Sequence, residues 1–374
     1  MPAYEFMVIG AGIAGASAAY ELAKIGSTII LERESQPGYH TTGRSAAVFS
    51  EIYGNATIRG LTVGSRGFFA SPPAGFCEYP LWKQRHSVMI ARSDQLAQLK
   101  RAYAQWVKLV PSVRWLEGDE ARDVTPMLKP DYVAGGVLEP AANDLDVHEI
   151  HRGFLRGAVR AGASLVCNAE VLDLSRHGPA WRVRTKSDEF SGNFVINAAG
   201  AWGDAIAVLA GAHPIGLAPK RRTAILFDPA PPEDVNGWPI IIDADEQFYF
   251  KPDAGRLLGS PADETASPPC DAQPEEIDVA LAVDRIEQAA TFRVERLVRK
   301  WAGLRNFVAD KSPVVGLDAE LPGFFWLVGQ GGYGIQTSPA LGRVAAALIG
   351  GGEMPEDLQS LGVRADNLSP ARLH

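Results

Sequence analysis

The sequence predicts an α/β chain, α+β overall, in which distant segments assemble a parallel, nucleotide-type sheet and a second domain is built on an antiparallel or mixed sheet. Three observations carry the prediction. The apolar run Tyr4 to Ile9 enters Gly10-Ala11-Gly12-Ile13-Ala14-Gly15 and, after a small-residue helix, Leu31-Glu32 closes a second strand. The same pattern of apolar strand into small-residue turn returns at Phe194 to Trp202 and at Phe324 to Gly334. Between these, Thr223 to Phe227, Pro239 to Asp243, Gln247 to Lys251 and Arg256 to Gly259 are separated by Asp, Pro and Gly turns, as in an antiparallel sheet.

The first element reads as a Rossmann-like βαβ unit. Gly10 makes the tight turn, Gly12 lets backbone approach a pyrophosphate, and Gly15 lets the helix pack on the sheet. The helix N-terminus then faces the phosphates, where unpaired N–H groups and the dipole favour negative charge. Glu32, about twenty residues beyond Gly10, is placed to accept from an adenosine ribose, and a carboxylate there disfavours a 2'-phosphate. The unit therefore favours FAD or NAD over NADP.

Further along, Gln36 to Ser45 is a turn-rich loop that ends in Thr41-Thr42-Gly43-Arg44-Ser45-Ala46-Ala47, whose small residues allow close approach to a flat ligand. Pro72-Pro73 and Gly75 break the chain, and a strand is expected over Ser87 to Ala91. Helices are expected at about 94–109 and 146–161, the first with Leu96, Leu99, Tyr103 and Trp106 at helical spacing. Short strands follow at 164–168, 170–174 and 181–185. A helix is expected at about 275–292, and another over Pro339 to Ile349. The recurrence of nucleotide-type elements divides the chain into a discontinuous cofactor domain, 1–75, 146–200 and 322–374, and a substrate domain, 76–145 and 201–321.

Composition narrows the function classes. A formal net charge of −8 over 374 residues offers no general attraction to nucleic acid or anionic lipid. No apolar run approaches the roughly 20 residues of a membrane span, and the first strand starts too near Met1 to leave room for a secretory leader, so a cytoplasmic protein, monomeric or a weak homo-oligomer, is expected. Cys77, Cys167 and Cys270 are odd in number and widely spaced, which suggests neither disulfides nor zinc. His148 and His151 are three apart rather than the four of H-E-x-x-H and read as ordinary helix residues, so no metal is expected.

NAD enzymes usually complete the nucleotide fold as one contiguous block, whereas here the last strand and glycine run stand at the far end of the chain. That last turn opens a helix whose N-terminal amides suit the N1 and C2 carbonyl edge of an isoalloxazine, where electron density arrives on reduction. Flavin is favoured over nicotinamide.

Together, G-A-G-I-A-G with Glu32, the T-G-R-S-A-A loop, N-A-A-G-A-W from Asn197, W-A-G-L-R from Trp301 and G-Q-G-G-Y-G-I-Q-T from Gly329 resemble the FAD-dependent D-amino acid oxidase and dehydrogenase family, nearest its bacterial D-arginine dehydrogenase branch. The resemblance implies non-covalent FAD, since no cysteine follows Cys270 to tether it. It implies a contact set of Gly10, Gly12, Ile13, Ala14, Gly15, Glu32, Arg33, Thr42, Gly43, Arg44, Ser45, Ala46, Ala47, Val171, Ala198, Ala199, Gly200, Trp202 and Arg305, with the run Gly331, Gly332, Tyr333, Gly334, Ile335, Gln336 and Thr337 around the pyrimidine edge. For the reaction it implies that Arg222 and Arg305 grip an α-carboxylate, Tyr53 and Tyr249 donate hydroxyls, and the Gly332 carbonyl accepts from the substrate amine. Hydride then leaves Cα for the flavin N5, and the imino acid hydrolyses to a 2-oxo acid and ammonia. Oxygen and a membrane quinone chain both stand open as the electron acceptor.

The residues alone leave alternatives. Lys220-Arg221-Arg222 also reads as a solvated basic edge, because strand alternation does not say which Arg points inward, and Tyr53 and Tyr249 also read as half-buried structural tyrosines. Arg305, within apolar Trp301 to Phe307, is harder to dismiss, because a buried Arg requires an anion. The side-chain pocket is expected around Val48, Ser50, Glu51, Ser87 and Glu246. The D-arginine-preferring branch carries an acid where this chain has Ser87 and a histidine where it has Val48, which points to neutral or apolar D-amino acids unless Glu51 restores the charge. Oxidation of glycine, a secondary amine or a 2-hydroxy acid is the rival enzymatic reading, and a flavin-binding module without chemistry is the non-enzymatic one.

Overall fold

The computed structural model describes residues 2–373. Its first sheet is centred on Ala3–Ile9, which pairs in parallel with Glu189–Asn197 on one side and Thr28–Leu31 on the other. Ser164–Val166 extends the parallel set beyond Thr28–Leu31, and Phe324–Val328 joins the C-terminal half of Glu189–Asn197. The central strands Thr28–Leu31 and Phe324–Val328 and the second half of Ala3–Ile9 read as nearly unbroken apolar runs because both faces are buried. With a side-chain period of two, Phe6 and Val8 pack among helices on one face, and Met7 and Ile9 join the core on the other. The helices Ile13–Leu22, Val147–Arg160, Gly334–Ile349 and Ala56–Ala70 supply the first core.

The second sheet runs in the order Thr265–Ala266, Ala218–Ala230, Arg256–Ser260, Tyr249–Asp253, Ile240–Asp243, Ser87–Ala91, Gly135–Glu139, Arg114–Glu117, with Arg293–Phe307 paired along Ala218–Ala230. Among the described pairings only Ser87–Ala91 with Ile240–Asp243 is parallel; the rest are antiparallel. A small sheet of Val48–Phe49, Asn143–Leu145 and Trp82–Gln84 lies between the two layers in sequence.

Several boundaries differ from the expectation. Val314–Leu317 pairs with Phe324–Val328, and the Gly203–Ala210 helix buries Ile206 and Ala207 in a core with Met7 and Ile9, so both belong with the first sheet although each was expected in the second domain. The helix Ala56–Ala70 was not foreseen, because Gly60, Gly64 and Gly67 weaken its helical signal. Two of those glycines serve packing: a Cβ on Gly60 would stand 2.8 Å from the Leu361 carbonyl oxygen, and one on Gly64 would stand 2.2 Å from Leu358. The last helix begins at Gly334 rather than Pro339. Pro339 has no N–H to return to the Ile335 carbonyl, and the Ser338 hydroxyl donates there instead, at 2.8 Å. The strand Arg293–Phe307 carries no strand signal in the sequence, since its first half is exposed and charged and so lacks apolar alternation.

Candidate active site

The glycine turn is built as the spacing requires. Gly10 has φ +101°, and a Cβ there would fall 2.6 Å from the Ala198 carbonyl oxygen; a Cβ on Gly15 would fall 1.9 Å from the Gly10 carbonyl oxygen. Helix and sheet therefore touch backbone to backbone. The Ile13 N–H donates to Thr42 Oγ1 at 2.9 Å, and His151 Nε2 donates to the Ala11 carbonyl at 2.8 Å. Burial lowers the His151 pKa more than that bond raises it, so the ring is held neutral. His151 is thus a structural staple on the turn, and nothing in its spacing from His148 announced this. Glu32 is buried at the end of Thr28–Leu31 and accepts from the Ala11 N–H at 2.8 Å and the Glu34 N–H at 3.0 Å.

The Thr41 to Ala46 loop joins this turn to the second sheet. Thr41 Oγ1 donates to the Leu304 carbonyl at 2.7 Å, Arg44 donates to the Ala302 carbonyl at 3.1 Å, and Trp301 Nε1 donates back to the Arg44 carbonyl at 3.0 Å. One continuous cavity follows the seam. Its wall brings together Gly10, Gly12, Ile13, Ala14, Glu32, Arg33, Thr42, Arg44, Ser45, Ala46, Val171, Ala198, Ala199, Gly200 and Trp202 with Arg222, Tyr249, Arg305, Gly331, Gly332, Gly334 and Ile335. At one end the Arg33 guanidinium lies over the Trp202 ring, 4.8 Å from its centroid, and the His40 ring also packs on Trp202, tilted, with centroids 4.7 Å apart.

At the other end stand the arginines. Arg222 faces the cavity and is buried; its Nε donates to the Asp263 carbonyl at 2.8 Å, and Glu264 lies 3.5 Å away. Arg221, its neighbour, points to the opposite face and pairs with Glu275 and Asp278. The ambiguity that alternation left open is resolved by those carboxylates on the helix side. Arg305 donates to the Tyr53 hydroxyl at 3.0 Å and abuts the glycine run so closely that a Cβ on Gly332 would lie 2.7 Å from its Cζ. Among the described residues no carboxylate pairs with it. Burial works to lower its pKa, and the facing Tyr53, Tyr249 and Tyr333 hydroxyls outweigh this and raise it, so the guanidinium stays charged. Tyr333 packs edge-on against Tyr53 at 4.8 Å, with burial pushing its own pKa upward.

Other expected residues stand behind the wall. Gly15 and Gly43 face backbone, Gly43 donating to the Gly38 carbonyl at 2.8 Å. The Ala47 carbonyl accepts from Leu145, Thr337 donates to the Tyr333 carbonyl, and Gln336 brackets the Ser50 backbone. Of the expected side-chain pocket, none of Val48, Ser50, Glu51, Ser87 and Glu246 forms part of the cavity wall. The Ser50 and Ser87 hydroxyls both donate to Glu139, at 2.7 and 3.2 Å. Glu51 is buried in a bidentate pair with Arg66, so it offers no charge to a substrate. Val48 is held in a short strand against Asp144, and Glu246 is exposed on a turn with φ +53°.

Sequence reasoning missed Tyr39, His40, Glu170, Asn306 and Gln330 in the wall. Gln330 stands inside the quoted glycine run and Asn306 directly after the W-A-G-L-R run, so adjacency to the motifs was the available signal. Asn306 Oδ1 and Gln330 Nε2 are buried with no partner within the protein. Buried polar atoms are seldom left so. Orphaned amides beside a glycine cradle, an acid at the end of the second strand and a helix opening at Gly334 together fit a bound FAD.

A dinucleotide cradle assembled from both ends of the chain, with the buried Arg222 and the half-buried Arg305 on its wall, defines a flavin-dependent oxidoreductase. Residues 5–348 match the family described as DAO, FAD dependent oxidoreductase, and the chain belongs to that family, with FAD as its cofactor. It is 23% identical to the uncharacterized oxidoreductase YurR of Bacillus subtilis (strain 168), over 95% of this chain and 97% of that protein. It is 22% identical to the glycine oxidase of Geobacillus kaustophilus (strain HTA426), over 95% of each. The crystal structure of L-proline dehydrogenase from P.horikoshii superposes with a TM-score of 0.84 at 21% identity, covering 100% of this chain and 98% of that one.

Proposed function

We propose that the chain oxidises D-α-amino acids with neutral or apolar side chains to imino acids, which water converts to 2-oxo acids and ammonia. The single observation that carries the reading is Arg305: a charged, half-buried guanidinium at the cavity wall whose only polar partner among the described residues is the Tyr53 hydroxyl. A buried charge without a counter-ion is costly, and an α-carboxylate supplies the missing anion in a bidentate, planar form. Arg222 and Tyr249 on the same wall give the carboxylate its second set of donors. Gly332 packs against the Arg305 guanidinium, and in this reading its carbonyl is the acceptor that holds the neutral amine. FAD, when bound, takes up the hydride that leaves Cα. The residues contribute orientation and charge rather than covalent chemistry. The two sheets act as a cofactor domain and a substrate domain, and the seam between them is where substrate lies.

Selectivity follows from what the wall lacks. Its acidic side chains, Glu32 and Glu170, stand with the nucleotide elements, and Glu51 and Glu139 are spent on Arg66 and on the serines. A cationic side chain would find no partner. The handedness of the substrate rests on the resemblance of the motifs to D-amino acid enzymes. Oxidation of glycine or a secondary amine is the second reading, favoured by likeness along the whole chain to a glycine oxidase and to the fold of an L-proline dehydrogenase. Anaerobic mixing of the FAD-loaded protein with D- and L-leucine, D- and L-arginine, glycine, sarcosine, L-proline and 2-hydroxy acids tests the reading. Fast bleaching by D-leucine alone among these supports it; preference for D-arginine, an L-enantiomer, glycine or a hydroxy acid overturns it.

A further inference from the structure

Glu139 is an acid that the reaction above does not use, and it is completely buried. It ends the strand Gly135–Glu139, opposite Ser87 in the register of the second sheet. Its carboxylate is fully engaged: Oε1 accepts the Glu51 N–H at 2.6 Å, and Oε2 accepts the hydroxyls of Ser50 at 2.7 Å and Ser87 at 3.2 Å. Ser50 and Glu51 start a non-regular stretch that leads directly to Tyr53. From the opposite side, Gln336 of the Gly334–Ile349 helix accepts the Ser50 N–H at 3.1 Å and donates to the Ser50 carbonyl at 3.3 Å.

We propose that Glu139 is a positioning residue that clamps the Ser50–Tyr53 stretch to the second sheet and so sets the Tyr53 hydroxyl on Arg305. The inference rests on the reading of Arg305 as the carboxylate ligand. An irregular stretch has no ladder of its own to fix it, so its geometry is determined by such ties. Here one side of Ser50 is tied to the first layer through Gln336 and the other to the second through Glu139. A carboxylate suits the task because it accepts from an amide and two hydroxyls at once without needing to donate. The Arg305 guanidinium and the Tyr53 hydroxyl come from segments on different layers, so their meeting depends on this cross-tie. Losing it leaves Arg305 intact but lets its hydroxyl partner wander.

The test compares Glu139→Ala with Glu139→Gln, whose amide keeps one acceptor for the Glu51 N–H and can donate to the serine oxygens, and with Ser50→Ala as a milder cut. Amide hydrogen exchange of the peptide spanning residues 50–56 in the FAD-loaded protein reads the clamp without any substrate. We expect exchange at least tenfold faster in Glu139→Ala, intermediate in Ser50→Ala and near wild type in Glu139→Gln. With substrate, we expect the KM of Glu139→Ala to rise about tenfold with a smaller change in the limiting rate of flavin reduction, and Glu139→Gln to restore it. Unchanged exchange in both Glu139→Ala and Ser50→Ala overturns the proposal, as does an equal loss in kcat and KM that Glu139→Gln fails to rescue. Should Glu139→Ala not fold, Ser50→Ala alone decides by the same exchange criterion. If no acid reduces the wild type, the reading of the site fails, and the exchange result still decides whether Glu139 holds the stretch.

Discussion

Arg305, on a strand of the second sheet, and Tyr53, on a loop tied to both layers, meet at 3.0 Å and leave the guanidinium of Arg305 with no carboxylate among the described residues. This contact places an unneutralised cation at the end of a flavin cradle. In the proposed function, a substrate carboxylate completes it.

Removing either cation exposes this directly. Arg305→Ala and Arg222→Ala are each expected to cost about 2–5 kcal/mol of transition-state binding, the scale for removing one partner of a buried charge pair. Stopped-flow flavin reduction gives the value as kcat/KM. FAD content is expected to hold in Arg222→Ala, because the proposed role of that side chain is toward the substrate. Unchanged kinetics in both variants would place the carboxylate elsewhere.

Tyr53→Phe keeps the ring against Tyr333 and removes only the hydroxyl on Arg305. A hydrogen bond to a charged group contributes about 1.5–3 kcal/mol. The loss should fall mainly on KM, measured by steady-state kinetics, and a variant with wild-type KM would show that the hydroxyl is dispensable.

Gly15→Ala tests the cradle. The added methyl would meet the Gly10 carbonyl oxygen at 1.9 Å, and since both partners are backbone the helix must move off the turn. The purified variant is expected to be folded by circular dichroism but to take up FAD far more weakly than the wild type in a fluorescence titration. Wild-type uptake would mean that the turn does not carry the pyrophosphate.

Glu139 makes stability depend on pH. Burial pushes its carboxyl up to about 7 from an ordinary 4.5, even against the donors that favour its charge. The fold then binds this proton more tightly than the unfolded chain does. Its contribution is full below pH 4.5 and is lost as pH rises through 7, about 3 kcal/mol in all. Denaturant unfolding of wild type and Glu139→Gln across that range should show the wild type losing stability relative to the variant. Parallel curves would contradict the shift.

How much of this was legible follows from where the signal resides in the chain. The Gly10–Gly15 turn, Glu32 and the apolar strands Ala3–Ile9 and Phe324–Val328 were readable because local backbone geometry and burial on both faces dictate residue type at fixed spacing. Arg222 was not separable from Arg221, since the carboxylates that claim Arg221, Glu275 and Asp278, are brought alongside only by the fold. The residues expected to form the side-chain pocket stand off the cavity wall for the same reason. Ser50, Ser87 and Glu51 look available in sequence, and Glu139 and Arg66, distant in the chain, occupy them. The strand Arg293–Phe307 lacked alternation because half of it is exposed.

The most direct measurement of the central claim is anaerobic bleaching of the FAD-loaded protein by D-leucine against D-leucinamide. The amide keeps the amine, the Cα hydrogen and the side chain but lacks the anion that Arg305 needs. A carboxylate held by Arg305 predicts rapid bleaching by the acid and at least a hundredfold slower bleaching by the amide, a ratio that corresponds to about 2.7 kcal/mol. Equal rates, or no bleaching by the acid, would contradict it.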